Sequence, residues 1–186
     1  MVRRDLALVL EAALSAGVPL LIGSAGTAGA APHLQATAAL LEEIANERGW
    51  SFRLATVASD VPAAEVVAAL LEGRLRPVDD VVAQPGYTPP PATDIEACSH
   101  IVAQCGTETF ERALATDPDV VLAGRACDTA IFAALPLMLG YPAGLALHMA
   151  KIVECTSLCC QPGGRDAMLA TLDLEGFTLE SLNPAL

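Results

Sequence analysis

At 186 residues the chain is long enough for one α/β domain with a substantial core and short for two. Apolar residues make up 53% of it and aromatics only 4%, so Ala, Leu and Val must build that core rather than rings. The formal net charge of −12 argues against nucleic acid and anionic membrane surfaces as partners, and it leaves any anionic ligand dependent on a few local Arg or Lys side chains.

The opening MVRRDLALVLEAAL mimics the basic and apolar regions of a signal peptide. Asp5 and Glu11 interrupt the apolar part, however, and the pattern suits an amphipathic helix over Arg3 to Ser15, ended at Gly17. Val18 to Ile22 reads as a short buried parallel strand. A glycine loop follows, then a helix from about Leu34 to Arg48 stopped by Gly49. Phe52 to Ala58 alternates as a strand, and Ser59-Asp60-Val61-Pro62 supplies cap-like residues before a helix to about Glu72. Gly73 to Thr93 holds five prolines and reads as a long surface loop or lid. Beyond it come a short strand at Ile101 to Gln104, a helix at Glu108 to Ala115 and a buried strand at Asp119 to Ala123. Helices at Cys127 to Leu137 and Gly144 to Cys160 follow, with a last strand at Met168 to Asp173. This alternation predicts one α/β domain over residues 1–186, a mainly parallel sheet with helices on both faces in Rossmann-like layering.

Leu14 to Pro32 and Ala130 to Leu147 lack formal charge but are broken by prolines and glycines, so neither is expected to span a membrane. A soluble, cytoplasmic protein is expected. The six cysteines (98, 105, 127, 155, 159 and 160) show neither CxxC nor zinc-ribbon spacing. They are expected to be buried free thiols, with no metal site.

Ligands of open parallel sheets bind beyond the carboxyl ends of the strands. The residues following the predicted strands are Gly23 to His33, Ser59-Asp60, Cys105-Gly106-Thr107 and Gly124 to Asp128, which would share one rim. The first of these, Gly23-Ser24-Ala25-Gly26-Thr27-Ala28-Gly29, has neither the G-x-G-x-x-G dinucleotide fingerprint nor the Gly-Lys-Ser/Thr of a P-loop. It reads as a wall that admits close approach of a ligand to the backbone, or as a loop where glycine simply permits tight turns. Arg125 could pair with a carboxylate or phosphate, with Asp128 orienting it or acting as a base. The plain alternative is an Arg–Asp bridge at the start of a helix.

The 144–160 segment carries a second group. At helical spacing His148, Lys151, Cys155 and Cys159 fall on one stripe of a helix expected to be buried over most of its surface. Lys151 is the chain's one lysine, and with Glu154 it is costly on a buried helix unless paired or set in a cavity. Cys155 near Lys151 and His148 could be a thiolate nucleophile; alternatively Lys151 binds an acidic substrate and His148 handles protons. A solvated Lys–Glu pair beside core cysteines is the third reading.

VVLAGRACDTAIFAALPLMLGYPAGLALHMAKIVECTSLCCQPGGRD resembles the acyclic terpene utilisation (AtuA-like) family, as do PLLIGSAGTAGAAPHL, SFRLATVASD and FTLESLNPA. By that resemblance Gly23, Gly26, Gly29, Pro32 and His33 correspond to a first glycine-rich loop, with Ser24 inside it. Arg125, Asp128, His148, Lys151, Glu154 and Cys155 match the second and third motifs. Cys159 and Cys160 depart from the small residues more usual there. The resemblance implies substrates such as branched acids or acyl-CoA esters and chemistry of a lyase, hydratase or hydrolase type, with no cofactor specified. Members also begin with a further α/β segment and continue past the Asn-Pro, so a fragment, split subunit or short form is expected. Such a chain should associate as a homo- or hetero-oligomer. A non-catalytic assembly subunit is the alternative function.

Overall fold

The computed structural model describes residues 2–76, 88–161, 163 and 167–182. In order they form α1 (Val2–Ala16), β1 (Leu20–Ile22), α2 (Ala31–Arg48), β2 (Leu54–Val57), α3 (Ala63–Leu71), α4 (Ala92–Glu96) and α5 (Thr107–Leu114). Then come β3 (Val120–Ala123), α6 (Asp128–Met138), α7 (Ala143–Val153), a 3₁₀ turn (Thr156–Cys159), β4 (Met168–Leu172) and β5 (Phe177–Ser181).

β3 is the centre of the molecule because it is apolar throughout. Its four residues VVLA are fully buried and pair in parallel with both β1 and β2, giving the order β1-β3-β2. Leu20 and Leu54 both register with Val120. Side chains alternate across a strand, and β3 accordingly feeds two cores. Val120 and Leu122 pack with Leu10 of α1 and Leu34, Leu41 and Ile44 of α2. Val121 and Ala123 pack with Phe110 and Leu114 of α5 and Ala130 and Ala134 of α6. Small residues on α6 let that helix approach the sheet closely.

The α/β class is therefore as expected, with helices on both faces of a parallel sheet, but the finer picture needs correction. Three parallel strands do not amount to Rossmann-like layering. β4 and β5 form a separate antiparallel pair, with Met168 opposite Ser181, and β5 was not anticipated. Ile101 to Gln104 is not a strand. This stretch instead laces the sheet's end through two isolated bridges, Asp60 to Val102 and Cys105 to Ala126. The helix expected over 144–160 stops at Val153, and Thr156 takes a left-handed φ of 53° before the 3₁₀ turn. Of the Gly73–Thr93 loop, 77–87 lie outside the described residues, and α4 begins at Ala92 within its end. No helix among the described residues is long and apolar enough to cross a membrane.

A cavity of about 270 Å³ opens at the N-terminal ends of the strands, between Pro19, Arg53, Leu114 and Asp119. Arg53 there pairs with Asp117 at 2.9 Å and lies 3.7 Å from Asp119, which hold its guanidinium above its ordinary pKa. Its charges are answered within the chain, and it lies at the opposite end of the sheet from the glycine loop.

Candidate functional site

The glycine loop leaves β1 and turns back through four left-handed residues: Ser24 (φ 52°), Gly26 (57°), Thr27 (70°) and Gly29 (72°). Much of its backbone is spent on itself and on β3. Ala25 N–H donates to the carbonyl of Ala123 (3.1 Å), and Thr27, Ala28 and Gly29 donate to Ser24, Gly26 and Ala25. Ser24 Oγ donates to the carbonyl of Ala126 at 3.3 Å and faces the Ala126 N–H at 3.4 Å. Gly29 is packed so tightly on the backbone of Gly124 and Arg125 that a Cβ would overlap it. A Cβ on Gly23 would overlap Ile131 of α6, and one on Gly26 would sit 2.8 Å from the His33 Cβ. His33 itself is exposed in the first turn of α2, its N–H bonded to the carbonyl of Ala30. With so many amides engaged, the loop is built as a wall against the β3 turn rather than as an open phosphate cradle.

The 124–127 turn is held from three sides. Gly124 N–H bonds to Val57, and the carbonyl of Arg125 accepts from buried Ser59 Oγ (3.1 Å) and from Cys105 N–H (3.1 Å). The Arg125 side chain, 31% exposed, reaches over the glycine loop, with Nη1 donating to the Thr27 carbonyl at 3.0 Å. Its separation from Asp128 is 4.0 Å and Asp128 is 61% exposed, so no tight bridge neutralises the guanidinium. α6 starts at Asp128 with no side-chain cap; Ala130 N–H bonds to the carbonyl of Cys127 at 2.9 Å, which leaves the Asp128 and Thr129 N–H groups open beside Arg125.

The group on the 144–160 segment meets the same rim through Glu154. Thr129 Oγ1 donates to Glu154 Oε2 at 2.5 Å, and Lys151 Nζ donates to Oε1 at 2.5 Å. The Glu154 side chain is only 10% exposed while Lys151 is 71% exposed, so a largely covered carboxylate anchors an ammonium in solvent. The Lys151 and Thr129 hydrogen bonds hold the Glu154 carboxyl below its usual pKa, and Glu154 in turn raises that of Lys151. Lys151 therefore stays protonated at neutral pH. The buried side of α7 carries Ala146, Met149, Ala150 and Val153, so the helix is half covered rather than mostly buried as expected.

His148 is not brought to this cluster by any bond. Its ring meets Phe177 of β5 edge-on, centroids 5.2 Å apart. Cys155 lies beyond the end of α7 and Cys159 in the 3₁₀ turn, so the expected stripe with His148 does not form. The cysteines are all free, but none is buried: 98, 155 and 159 are exposed, and 105, 127 and 160 are intermediate. Burial still raises the Cys105 thiol, which packs under the rim. Among the described residues no group of three or more His, Cys, Asp or Glu could hold a metal ion.

Three contacts were not foreseen from the sequence: that of Thr129, that of the buried Ser59 hydroxyl and a His100–Asp60 pair. His100 Nδ1 lies 3.0 Å from Asp60 Oδ1, with the side chains 45% and 30% exposed. Their partners lie 25, 66 and 40 residues away, beyond any local motif. Ser59 and Asp60 did carry a signal, their place immediately after a predicted strand.

The family model described as acyclic terpene utilisation family protein AtuA matches residues 2–163. The chain thus belongs to the AtuA family of acyclic terpene utilisation, and the match covers the glycine loop, Arg125 and the Lys151–Glu154 pair. No curated protein and no solved structure matches it.

Proposed function

We propose that the chain is an enzyme, or a subunit of one, in acyl or acyl-CoA catabolism, and that its strand-end rim binds the anionic group of a branched carboxylate or CoA ester. The observation that supports this best is the Thr129–Glu154–Lys151 link, which brings the chain's one lysine to the start of the helix that follows Arg125. Two cations beside free first-turn N–H groups suit an anion, in a molecule whose overall charge repels one. Family membership favours a hydrocarbon-derived acid over a nucleotide. Within this reading Arg125 and Lys151 hold the anion, the glycine loop with Ser24 and His33 forms the wall, and Asp128, Glu154 and Cys155 border the reacting part.

The test is thermal stabilisation by short branched carboxylates and CoA esters. The wild-type protein is expected to gain stability with at least one of them, and Arg125→Ala and Lys151→Met to lose that gain while melting cooperatively. Equal stabilisation of both folded variants would overturn the proposal. One observation favours the assembly-subunit alternative: α3, AAEVVAALL, is almost wholly apolar yet has no buried residue. Intact ligand response with broken association in an α3 variant would point that way.

A further inference from the structure

We infer that Cys159, Cys160 and Met168 form a three-sulfur site for a soft monovalent cation such as copper(I). The three come from two segments that meet beyond α7. Thr156, at a left-handed φ of 53°, leads into the 3₁₀ turn that ends at Cys159, and Cys160 follows it. Met168 opens β4, whose partly covered positions are Met168, Ala170 and Leu172, with Leu169 and Thr171 exposed between them. The Cys160 Sγ lies 3.7 Å from the Met168 Sδ, a contact closed across eight residues. The Cys159 and Cys160 side chains hydrogen-bond to each other, and the Cys159 thiol donates to the Thr156 carbonyl at 3.0 Å. Cys159 is exposed and Cys160 partly covered, so an ion reaches the sulfurs from solvent.

The donor set selects the ion. Thiolate and thioether sulfurs suit copper(I), whereas structural zinc takes four ligands from Cys, His, Asp and Glu. Among the described residues no group of three such side chains could hold a metal, which excludes that kind of site and leaves the mixed Cys–Met cluster. A closed-shell copper(I) ion has no ligand-field demand for a fourth donor. With metal–sulfur bonds of about 2.3 Å, the length of zinc–thiolate bonds, three donors in a plane sit about 4 Å apart. The Cys160–Met168 separation is already close to that. Binding is ligation without electron transfer. The cation displaces the protons of Cys159 and Cys160, which pass to solvent, and Met168 contributes a lone pair. The chain's net charge of −12 favours the approach of a cation. The bound ion would tie the turn after α7 to β4, and so steady a two-stranded sheet that is marginal alone.

Anaerobic titration of the whole chain with copper(I) buffered by bicinchoninate tests the site. Wild type is expected to take one equivalent from the chelator, and Cys98→Ser, which alters an exposed thiol elsewhere, to do the same. The double variant Cys159→Ser, Cys160→Ser should lose that equivalent. Met168→Leu keeps the apolar bulk and should weaken binding by no less than the roughly tenfold typical of groups that only support a ligand. Selenomethionine labels all four methionines, so copper K-edge absorption should show a selenium neighbour that disappears in Met168→Leu. Copper(I) should also slow amide exchange in β4 and β5 of wild type and leave the double variant unchanged. The selenium signal is read on wild type, so it decides the matter even where a variant fails to fold. The proposal is overturned if wild type does not compete with the chelator, or if Cys98→Ser loses the equivalent. It is overturned equally if the folded double variant keeps the equivalent, or if bound copper has no selenium neighbour.

Discussion

Two glycines with nearly the same backbone angle separate conformational cost from packing cost. Gly17 (φ +64°) ends α1 with open space around its missing Cβ, whereas Gly29 (φ +72°) rests on the Gly124–Arg125 backbone. Gly17→Ala is therefore expected to cost about 1 kcal/mol, the ordinary left-handed penalty. Gly29→Ala adds displacement of the β3 turn and should cost about 3 kcal/mol or more. Thermal melts read the difference, and equal shifts would show that Gly29 serves conformation alone. Glu154 offers a second residue-level test. Its folded pKa is lowered, so its contribution is present above the ordinary carboxylate pKa and lost as pH falls through the folded value. Lys151 has a raised pKa, so its share is present below the ordinary lysine pKa and lost as pH rises through the folded value. Between those limits the pair is intact, and salt weakens it because Lys151 is mostly exposed. In Glu154→Gln the Lys151 titration, read by NMR of the carbon-13 dimethylated amine, should drop toward the ordinary lysine value. Thr129→Val instead removes a hydrogen bond to a nearly buried carboxylate, at about 1–3 kcal/mol.

Among the elements the β4–β5 pair depends most on its neighbours, because two strands alone are marginal in water. Its turn is closed by Asp173, whose Oδ1 accepts the N–H groups of Glu175 (2.7 Å) and Gly176 (2.8 Å), and these bonds lower its pKa. Its link to the helical layer includes the ring of Phe177 against His148 of α7. Phe177→Ala should thus raise amide hydrogen exchange in β4 and β5 selectively, leaving β3 protected; uniform loss would mean the strands and the central sheet unfold as one unit. The same contrast explains what the sequence could reveal. β3 reads directly because VVLA is an uninterrupted apolar run bounded by Asp119 and Gly124, and α2 because Gly49 stops it in a left-handed cap. β5 was missed because Phe177 to Ser181 alternates with acidic and hydroxylated residues and has a single strand to pair with. The helix through residue 160 was overextended because the Glu154 side chain turns to Thr129, a partner 25 residues away, just where the helix ends. Strand ends placed the glycine loop and Arg125 on one rim; only folding shows that Glu154 joins them and that His148 faces elsewhere.

At the scale of the whole molecule, the proposed anion site must work against the net charge of −12. On that proposal an approaching anion would meet repulsion from carboxylates distributed over the chain before it met Arg125 and Lys151. Salt acts unequally on these two effects: at 0.1 M the screening length is about 10 Å, so distant charges are muted while groups in contact with the ligand are affected far less. For a fluorescent CoA ester in stopped flow, the association rate should therefore increase as ionic strength is raised from about 10 to 150 mM, the reverse of a site steered by a basic surface. Dissociation should change little over the same interval, because the bound anion feels mainly its local donors. Lys151→Met should slow association further and speed release, since it removes one of the cations that offset the long-range field. An association rate that falls with salt would mean that a local positive funnel outweighs the global charge. In that case the arginines beyond Arg125, most of which are paired with acids at the surface, would have to be included in the anion's approach.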